Sequence, residues 1–515
     1  MFYFRMGILF IFMSIINLVT AEKSNQLIIN VDRGTDKISK HIYGHFAEHL
    51  GNCIYGGFFV GEDSKIPNTR GIRNDVIKAL REIDPPVIRW PGGCFADYYH
   101  WKNGIGPKDK RPAMINSTWG GVTEDNSFGT HEFLDLCDLL GAEPYICINV
   151  GSGTVQEAAD WVEYVNSSNI SPMTDLRKKN GREQPWKVKF WAVGNESWGC
   201  GGHMTVDYYT DLFKRFSTYL RSGRIYRVAS GGNDPDFNWT ETVLKKTKKY
   251  PDLIQGYSFH YYTFCHDWNN KTYALEFDEN DWFHTMKKTL LMEERLEGHI
   301  ALMDQYDPDN KIGLMADEWG NWYFVEPGTN PAFLYQQNTV RDVVTAALYL
   351  NIFNNHARRV KMANIAQTIN VLQAMLLTKE DKIVKTPTFY VFKMYKVHQE
   401  ATLLPIDITC EQYSYDNMTL PSISASASKD STGTIHLSLC NIDPDQKRDI
   451  DIELKTESKI SKTRGEIITA SAMNEYNDFD KPEKVNIKTF SDFSLKDKIL
   501  TVSLPSKSVV TLEIK

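Results

Sequence analysis

The cysteines of this chain fall into no recognisable pattern. None of the eight forms a Cys-x-x-Cys pair, so their spacing indicates neither a zinc ribbon nor a disulfide framework. No G-x-G-x-x-G loop follows the first apolar run, which argues against a doubly wound, dinucleotide-binding sheet. A basic excess is also missing. Lys and Arg number 58 against 65 Asp and Glu, a formal charge of −7, so neither nucleic acid nor an anionic membrane surface is expected as a partner. The densest basic run, Lys245–Lys249 (KKTKK), reads as a solvated helix face. Past the N-terminus no stretch is apolar enough to span a bilayer, and no repeat of solenoid length occurs.

What is present is material for a large core. Hydrophobic residues make up 42% and aromatics 12% of 515 residues, which predicts one large domain with a smaller companion. The opening MFYFRMGILFIFMSIINLVTA has one Arg, an apolar stretch and the small-residue signal Val19-Thr20-Ala21. It reads as a signal peptide over residues 1–21, with an uncleaved anchor as the alternative, and predicts a periplasmic or secreted protein that leaves the membrane after cleavage. An oxidising compartment would permit a disulfide, though no pairing can be assigned. Asn116, Asn238, Asn270 and Asn417 begin N-x-[ST] sequons.

Eight apolar runs with polar ends follow one another: Ile42–Glu48, Pro86–Trp90, Glu143–Val150, Val188–Glu196, Tyr226–Gly232, Leu253–His260, Lys311–Glu318 and Val360–Gln367. Segments of helical spacing lie between them, among them Ile72–Ile83, His131–Leu140, Val155–Asn166, Thr205–Leu220 and Thr339–Asn354. Alternating strands and helices imply parallel pairing. Eight units predict a (β/α)8 TIM barrel over 41–398. After about residue 400 the pattern changes to short period-two segments: Thr434–Cys440, Asp449–Leu454, Val485–Phe490, Ile499–Leu504 and Val509–Ile514. These predict a C-terminal antiparallel β-sandwich over 399–515. Leu27–Val31, within 22–40, is expected to supply it with a strand.

Two of the eight runs end in a carboxylate, Glu196 in VKFWAVGNE and Glu318 in KIGLMADE. A carboxylate at the C-terminal end of a barrel strand points into the mouth, where such enzymes place their chemistry. Two facing carboxylates can serve as acid and nucleophile on a glycosidic bond. Asn195 can bond a sugar hydroxyl, and the aromatic flank of Glu196 suits a general acid, which leaves Glu318 ionised as the nucleophile. Arg89, before the turn Pro91-Gly92-Gly93, is placed to hold that nucleophile ionised. Trp101, Tyr262, Trp319 and Trp322 are candidate sugar platforms, Trp101 and Tyr262 foremost. His45-Phe-Ala-Glu48-His49 matches the H-x-x-E-H pattern, but zinc binding requires it on a helix, and here it reads as a strand running into a loop. A zinc metalloprotease is thus the other-class alternative, and a carbohydrate-binding dead barrel is set aside because both carboxylates are present. No metal and no cofactor is expected.

These residues resemble glycoside hydrolase family 51, the α-L-arabinofuranosidases. The resemblance rests on YGHFAEHL (43–50), IYGGF (54–58), RWPGGCF (89–95), LLGAEPYICINV (139–150), WAVGNESW (191–198), DEW (317–319) and NIAQTINV (364–371). It implies a barrel with a β-sandwich and a retaining, exo-acting enzyme that removes terminal α-L-arabinofuranosyl residues from plant cell-wall glycans. Glu196 would be its acid/base and Glu318 its nucleophile. It also implies sugar contacts from Glu48, Arg89, Cys94, Trp101, Asn195, Tyr262 and Gln367, and assembly into homo-oligomers, hexamers in many relatives. Many members carry Asn where this chain has Cys94. A β-glucanase or β-xylosidase of the same barrel type is the neighbouring alternative.

Overall fold

Eight parallel strands, Gly44–Phe46, Val87–Trp90, Glu143–Ile148, Phe190–Val193, Tyr226–Ala229, Gly256–Thr263, Gly313–Asn321 and Val360–Ile365, pair in chain order, and the last returns to the first. The computed structural model, which describes residues 25–515 apart from 35 and 461, thus contains a closed barrel. Alternation along each strand explains the closure. Val87, Tyr145, Cys147, Phe190, Ala192, Val228, Met315 and Met362 pack together within the ring. Their neighbours Ile88, Trp90, Ile146, Ile148, Trp191 and Val193 belong to the outer core beneath the helices. Both faces are therefore apolar, and the strands read as continuous hydrophobic runs.

Most of the strands are shorter than the runs that signal them, because the chain leaves the ladder to enter the mouth of the barrel. The fourth stops at Val193. Gly194 then turns at φ +90°, a conformation open to glycine, and delivers Asn195 and Glu196 over the barrel. Threonine caps set several helices: Thr154 and Thr205 accept from the third amide of Val155–Asn166 and Val206–Tyr219. Each such cap contributes about 1 kcal/mol. Three helices fall outside the segments given a helical reading: Pro172–Lys179, Glu279–Tyr306 and Pro387–Tyr395.

The sandwich consists of a five-stranded and a six-stranded sheet. Its core is the cluster of Leu27, Ile29, Leu437, Leu439, Ile450, Ile452, Leu500, Val502, Val510 and Leu512. The N-terminal strand Asn25–Asn30 runs parallel to Arg448–Lys455 and antiparallel to Ile406–Thr409. Helix Val340–Asn355 lies between barrel and sandwich and is buried along all but its last residue. Asn351 and Asn354 donate from it to Ser424 and Ser426 of the sandwich at 3.1 and 3.2 Å. Its middle stretch, residues 343–350, is nearly all apolar, as expected when both flanks are covered. One sequon is not a surface feature, since Asn116 is buried and donates to His49 O and Glu124.

Candidate active site

The polar ends of strands one, two, four, six, seven and eight converge on one pocket. Arg89, on the second strand, is buried at 1% exposure. Its Nη1 donates to Glu318 Oε1 at 2.6 Å and its Nη2 to Asn195 Oδ1 at 2.6 Å, while its Nε lies 3.5 Å from Asp317 Oδ2. Tyr262, on the sixth strand, donates to the other oxygen of Glu318 at 2.8 Å. Both oxygens of Glu318 are therefore held by strong donors.

His260 lies two residues before Tyr262 on the same strand. Its Nδ1 is 2.9 Å from Glu196 Oε1 and 3.6 Å from Glu318 Oε2, and its Nε2 faces Asp317 Oδ1 at 3.1 Å. Burial pulls its pKa down, but the charges of Glu318, Asp317 and Glu196 outweigh burial and lift it to about 10. The ring thus lies among three carboxyl groups. Asp317 is correspondingly held below its usual range: burial opposes ionisation, and Arg89, His260 and Ser258 outweigh it. One oxygen of Glu196, one of Glu318 and a nitrogen of His260 all lie within 4.8 Å of one another. Glu196 itself sits at φ +39°, a sparsely populated backbone state that costs a non-glycine residue about 1–3 kcal/mol.

Glu48 forms the opposite wall. Its carboxylate accepts from Phe95 N, Trp119 Nε1 and Gln367 Nε2, each at 3.0 Å. Burial and the charge of Glu318 raise its pKa to about 7 against those three donors. A Cβ on Gly92 would meet Glu48 Cγ at 2.8 Å, and one on Gly93 would stand 3.2 Å from oxygens of both Glu48 and Glu318. The two glycines admit the carboxylates as well as making the turn. Asp97 braces the floor, accepting from the amides of Val150, Gly151 and Asn195.

Glu48, Arg89, Asn195, Glu196, Tyr262, Glu318 and Gln367 are thus brought together. One other expected contact needs correction. Trp101 lies outside the pocket, 1% exposed and stacked on Trp161 at 5.8 Å with an interplanar angle of 4°; its Nε1 donates to Glu157 O. The tryptophan that reaches Glu48 is Trp119. Cys94 lies at the pocket, joined to Cys200 in a disulfide. The sulfurs of both cysteines lie within 4.8 Å of a Glu196 oxygen, so Glu196 is flanked by a disulfide and the His260 ring. Trp319 is buried among Tyr349, Phe353 and Phe392. Trp322 packs edge-on against Tyr262 at 5.1 Å, and Trp268, 56% exposed, packs against Trp322 at 5.1 Å.

His260 was legible in principle, since strand alternation puts it on the face of Tyr262. Trp119 and Cys200 come from loops whose course no periodicity reveals. The HFAEH segment, 45–49, runs from the short strand Gly44–Phe46 into a loop rather than forming a helix. His45 is buried against Phe392, while His49 stacks on Phe95, accepts from Trp90 Nε1 and pairs with Glu124, so the two histidines serve packing and buried hydrogen bonding.

Comparison with known proteins agrees with this geometry. Residues 79–280 match the family profile described as the α-L-arabinofuranosidase 1 domain, and residues 317–508 that of the α-L-arabinofuranosidase C-terminal domain. A Bacteroides ovatus protein named intracellular exo-α-L-arabinofuranosidase is 52% identical over 501 residues, covering 96% of this chain and 97% of its own length. The crystal structure of a family 51 arabinofuranosidase from Xanthomonas axonopodis pv. citri superposes with a TM-score of 0.93 at 44% identity, covering 96% of this chain and all of that one. An α-L-arabinofuranosidase from Thermotoga maritima, in complex with arabinose, superposes at 0.84 with 31% identity, covering 95% and 99%. The B. ovatus name corrects the expectation of export, since a relative so similar is called intracellular. The segment read as a signal peptide, 1–21, lies outside the described residues. No helix among those residues is long and apolar enough to cross a membrane.

Proposed function

The chain belongs to the α-L-arabinofuranosidases of glycoside hydrolase family 51, and from that premise we propose how its pocket breaks the bond. Its activity is that of a glycoside hydrolase releasing α-L-arabinofuranosyl residues from arabinose-containing glycans. In the proposed first step, a Glu318 oxygen attacks the anomeric carbon while Glu196 gives its proton to the departing glycosidic oxygen. In the second, Glu196 takes a proton from water, and that water displaces Glu318 from the glycosyl ester. Two inversions return the original anomer.

The observation that carries this reading is the separation of the two carboxylates. Oxygens of Glu196 and Glu318 within 4.8 Å of each other fit the short spacing of retaining enzymes. An inverting pair stands about 6.5–9.5 Å apart, to admit a water. Arg89 and Tyr262 hold Glu318 in place through a bond to each of its oxygens. Glu48, with Gln367 and Trp119 behind it, is placed to bind hydroxyls of the terminal sugar, and the exposed Trp268 beyond Trp322 gives the remainder of the glycan an apolar face to lie on. Self-association of copies accompanies the reading and is measured by sedimentation.

The roles separate kinetically. Glu196→Ala should spare an aryl arabinofuranoside with a good leaving group, which needs no protonation, and slow a natural linkage by about 10²–10⁴-fold. Glu318→Ala should abolish both, and NMR of the first product should show the starting anomer. Equal losses on both substrates in Glu196→Ala would overturn the assignment.

A further inference from the structure

Outside the pocket, one group of side chains has the composition and spacing of a metal site. Cys265 and His266 follow the sixth barrel strand, Gly256–Thr263, and face Asp281 in the first turn of helix Glu279–Tyr306. Cys265 Sγ lies 3.6 Å from Asp281 Oδ1, His266 Nε2 lies 3.0 Å from the same oxygen, and the three donor atoms fall within 4.8 Å of one another. A tetrahedral zinc has Zn–S of about 2.3 Å and Zn–N or Zn–O of about 2.0–2.2 Å. That arrangement sets S···O at roughly 3.6 Å and N···O at roughly 3.4 Å along its edges. The existing separations need only a small adjustment to enclose an ion.

The donor set and its surroundings point the same way. A thiol, an imidazole and a carboxylate together favour zinc, cobalt or copper over calcium or magnesium. Cys265 is buried, whereas the side chains of His266 and Asp281 are 33% and 19% exposed. One flank therefore opens to solvent, giving an ion an entry path and a fourth position. His284 sits three residues beyond Asp281 on the same helix face, its ring 4.8 Å from that of His266. Without an ion, the thiol donates to Asp281 O at 3.2 Å, and the capping box of Asp278 and Asp281 begins the helix.

We propose that Cys265, His266 and Asp281 bind a thiophilic divalent cation of the zinc class, with water or His284 as fourth ligand. The ion fastens the loop after the sixth strand to the start of the following helix. That strand carries His260 and Tyr262, and that loop carries Trp268, so the clamp sits directly behind one side of the catalytic pocket. It takes no part in the chemistry.

Cobalt(II) is the probe. Titrating the full-length chain, with its free cysteines reduced, should produce a near-ultraviolet thiolate-to-cobalt charge-transfer band and visible bands of a four-coordinate ion, saturating at one equivalent. Cys265→Ser should lose the charge-transfer band, His266→Ala should weaken binding at least about tenfold, and Cys410→Ser, which removes a partly exposed thiol elsewhere, should change nothing. Zinc should compete for the site and raise the thermal midpoint of the parent but not of Cys265→Ser or Asp281→Asn. Circular dichroism and basal arabinofuranosidase activity establish that the variants fold. Absence of the band in the parent overturns the proposal, as does its persistence in folded Cys265→Ser. Binding without any charge-transfer band, as at the thiol-free Glu196–His260–Glu318 group, overturns it equally.

Discussion

The ring of His260 stands 2.9 Å from Glu196, with Nδ1 against Oε1. Because its pKa is raised from 6.5 to about 10 in the folded chain, the protonated ring favours folding. That contribution is complete below the unfolded value, near 6.5, and is lost as pH rises through about 10. His260→Asn should therefore be less stable than the parent at pH 6, and the gap in denaturation midpoint should close between pH 7 and 10. A gap that widens towards alkaline pH would contradict the charged ring.

Gly93→Ala should cost activity without costing the fold. The added methyl would stand 3.2 Å from oxygens of Glu48 and Glu318, inside the space the sugar needs. We expect kcat/KM to fall by about 10²-fold, equivalent to roughly 2.7 kcal/mol, with the thermal midpoint within a few degrees of the parent. A fully active variant would show that neither carboxylate is confined there.

The two tryptophans should part company. Trp119→Phe deletes one of three donors to Glu48, a hydrogen bond to a charged group worth about 1.5–3 kcal/mol. Its kcat/KM should fall about 10- to 100-fold, and the acid limb of its pH profile should move upward, because Glu48 is already raised to about 7. Trp101→Phe loses packing on Trp161 and a bond to Glu157 O, so it should lower the thermal midpoint and leave KM alone. A KM effect in Trp101→Phe would return that residue to the pocket.

Deleting residues after about 400 should give insoluble protein. Helix Val340–Asn355 would lose its cover and display apolar residues such as Leu348 and Ile352, along with the unpaired amides of Asn351 and Asn354. Exposed patches of this kind drive association. A soluble, active truncation in a sedimentation assay would refute the packing argument.

The barrel was legible because buried parallel strands are apolar on both faces, so each of the eight appears as an unbroken run. Glu318 and Glu196 stood out because charge ends those runs. The 28-residue helix Glu279–Tyr306 was missed because its buried face is interrupted by the polar residues Thr285, Thr289 and His299. Strand Ile423–Lys429 (ISASASK) escaped because small residues give alternation little contrast. Trp119 and the Cys94–Cys200 pair are loop-borne, and their meeting depends on tertiary closure that no local pattern records. Trp101 was the misleading candidate: an aromatic beside a glycine-rich turn has the same sequence appearance whether it faces a ligand or a neighbouring helix.

Strand Asn25–Asn30 is the earliest described element of the chain, yet both of its partners, Ile406–Thr409 and Arg448–Lys455, lie near the other end. During synthesis it therefore waits, with its backbone groups unpaired, while some four hundred residues are made. The strands of the barrel can close before then, but the surface that receives the sandwich stays bare until the last hundred residues emerge. Such a chain is most exposed to misassociation late in translation. A slow or interrupted ribosome should accordingly do the most harm when it stalls after the barrel and before the sandwich.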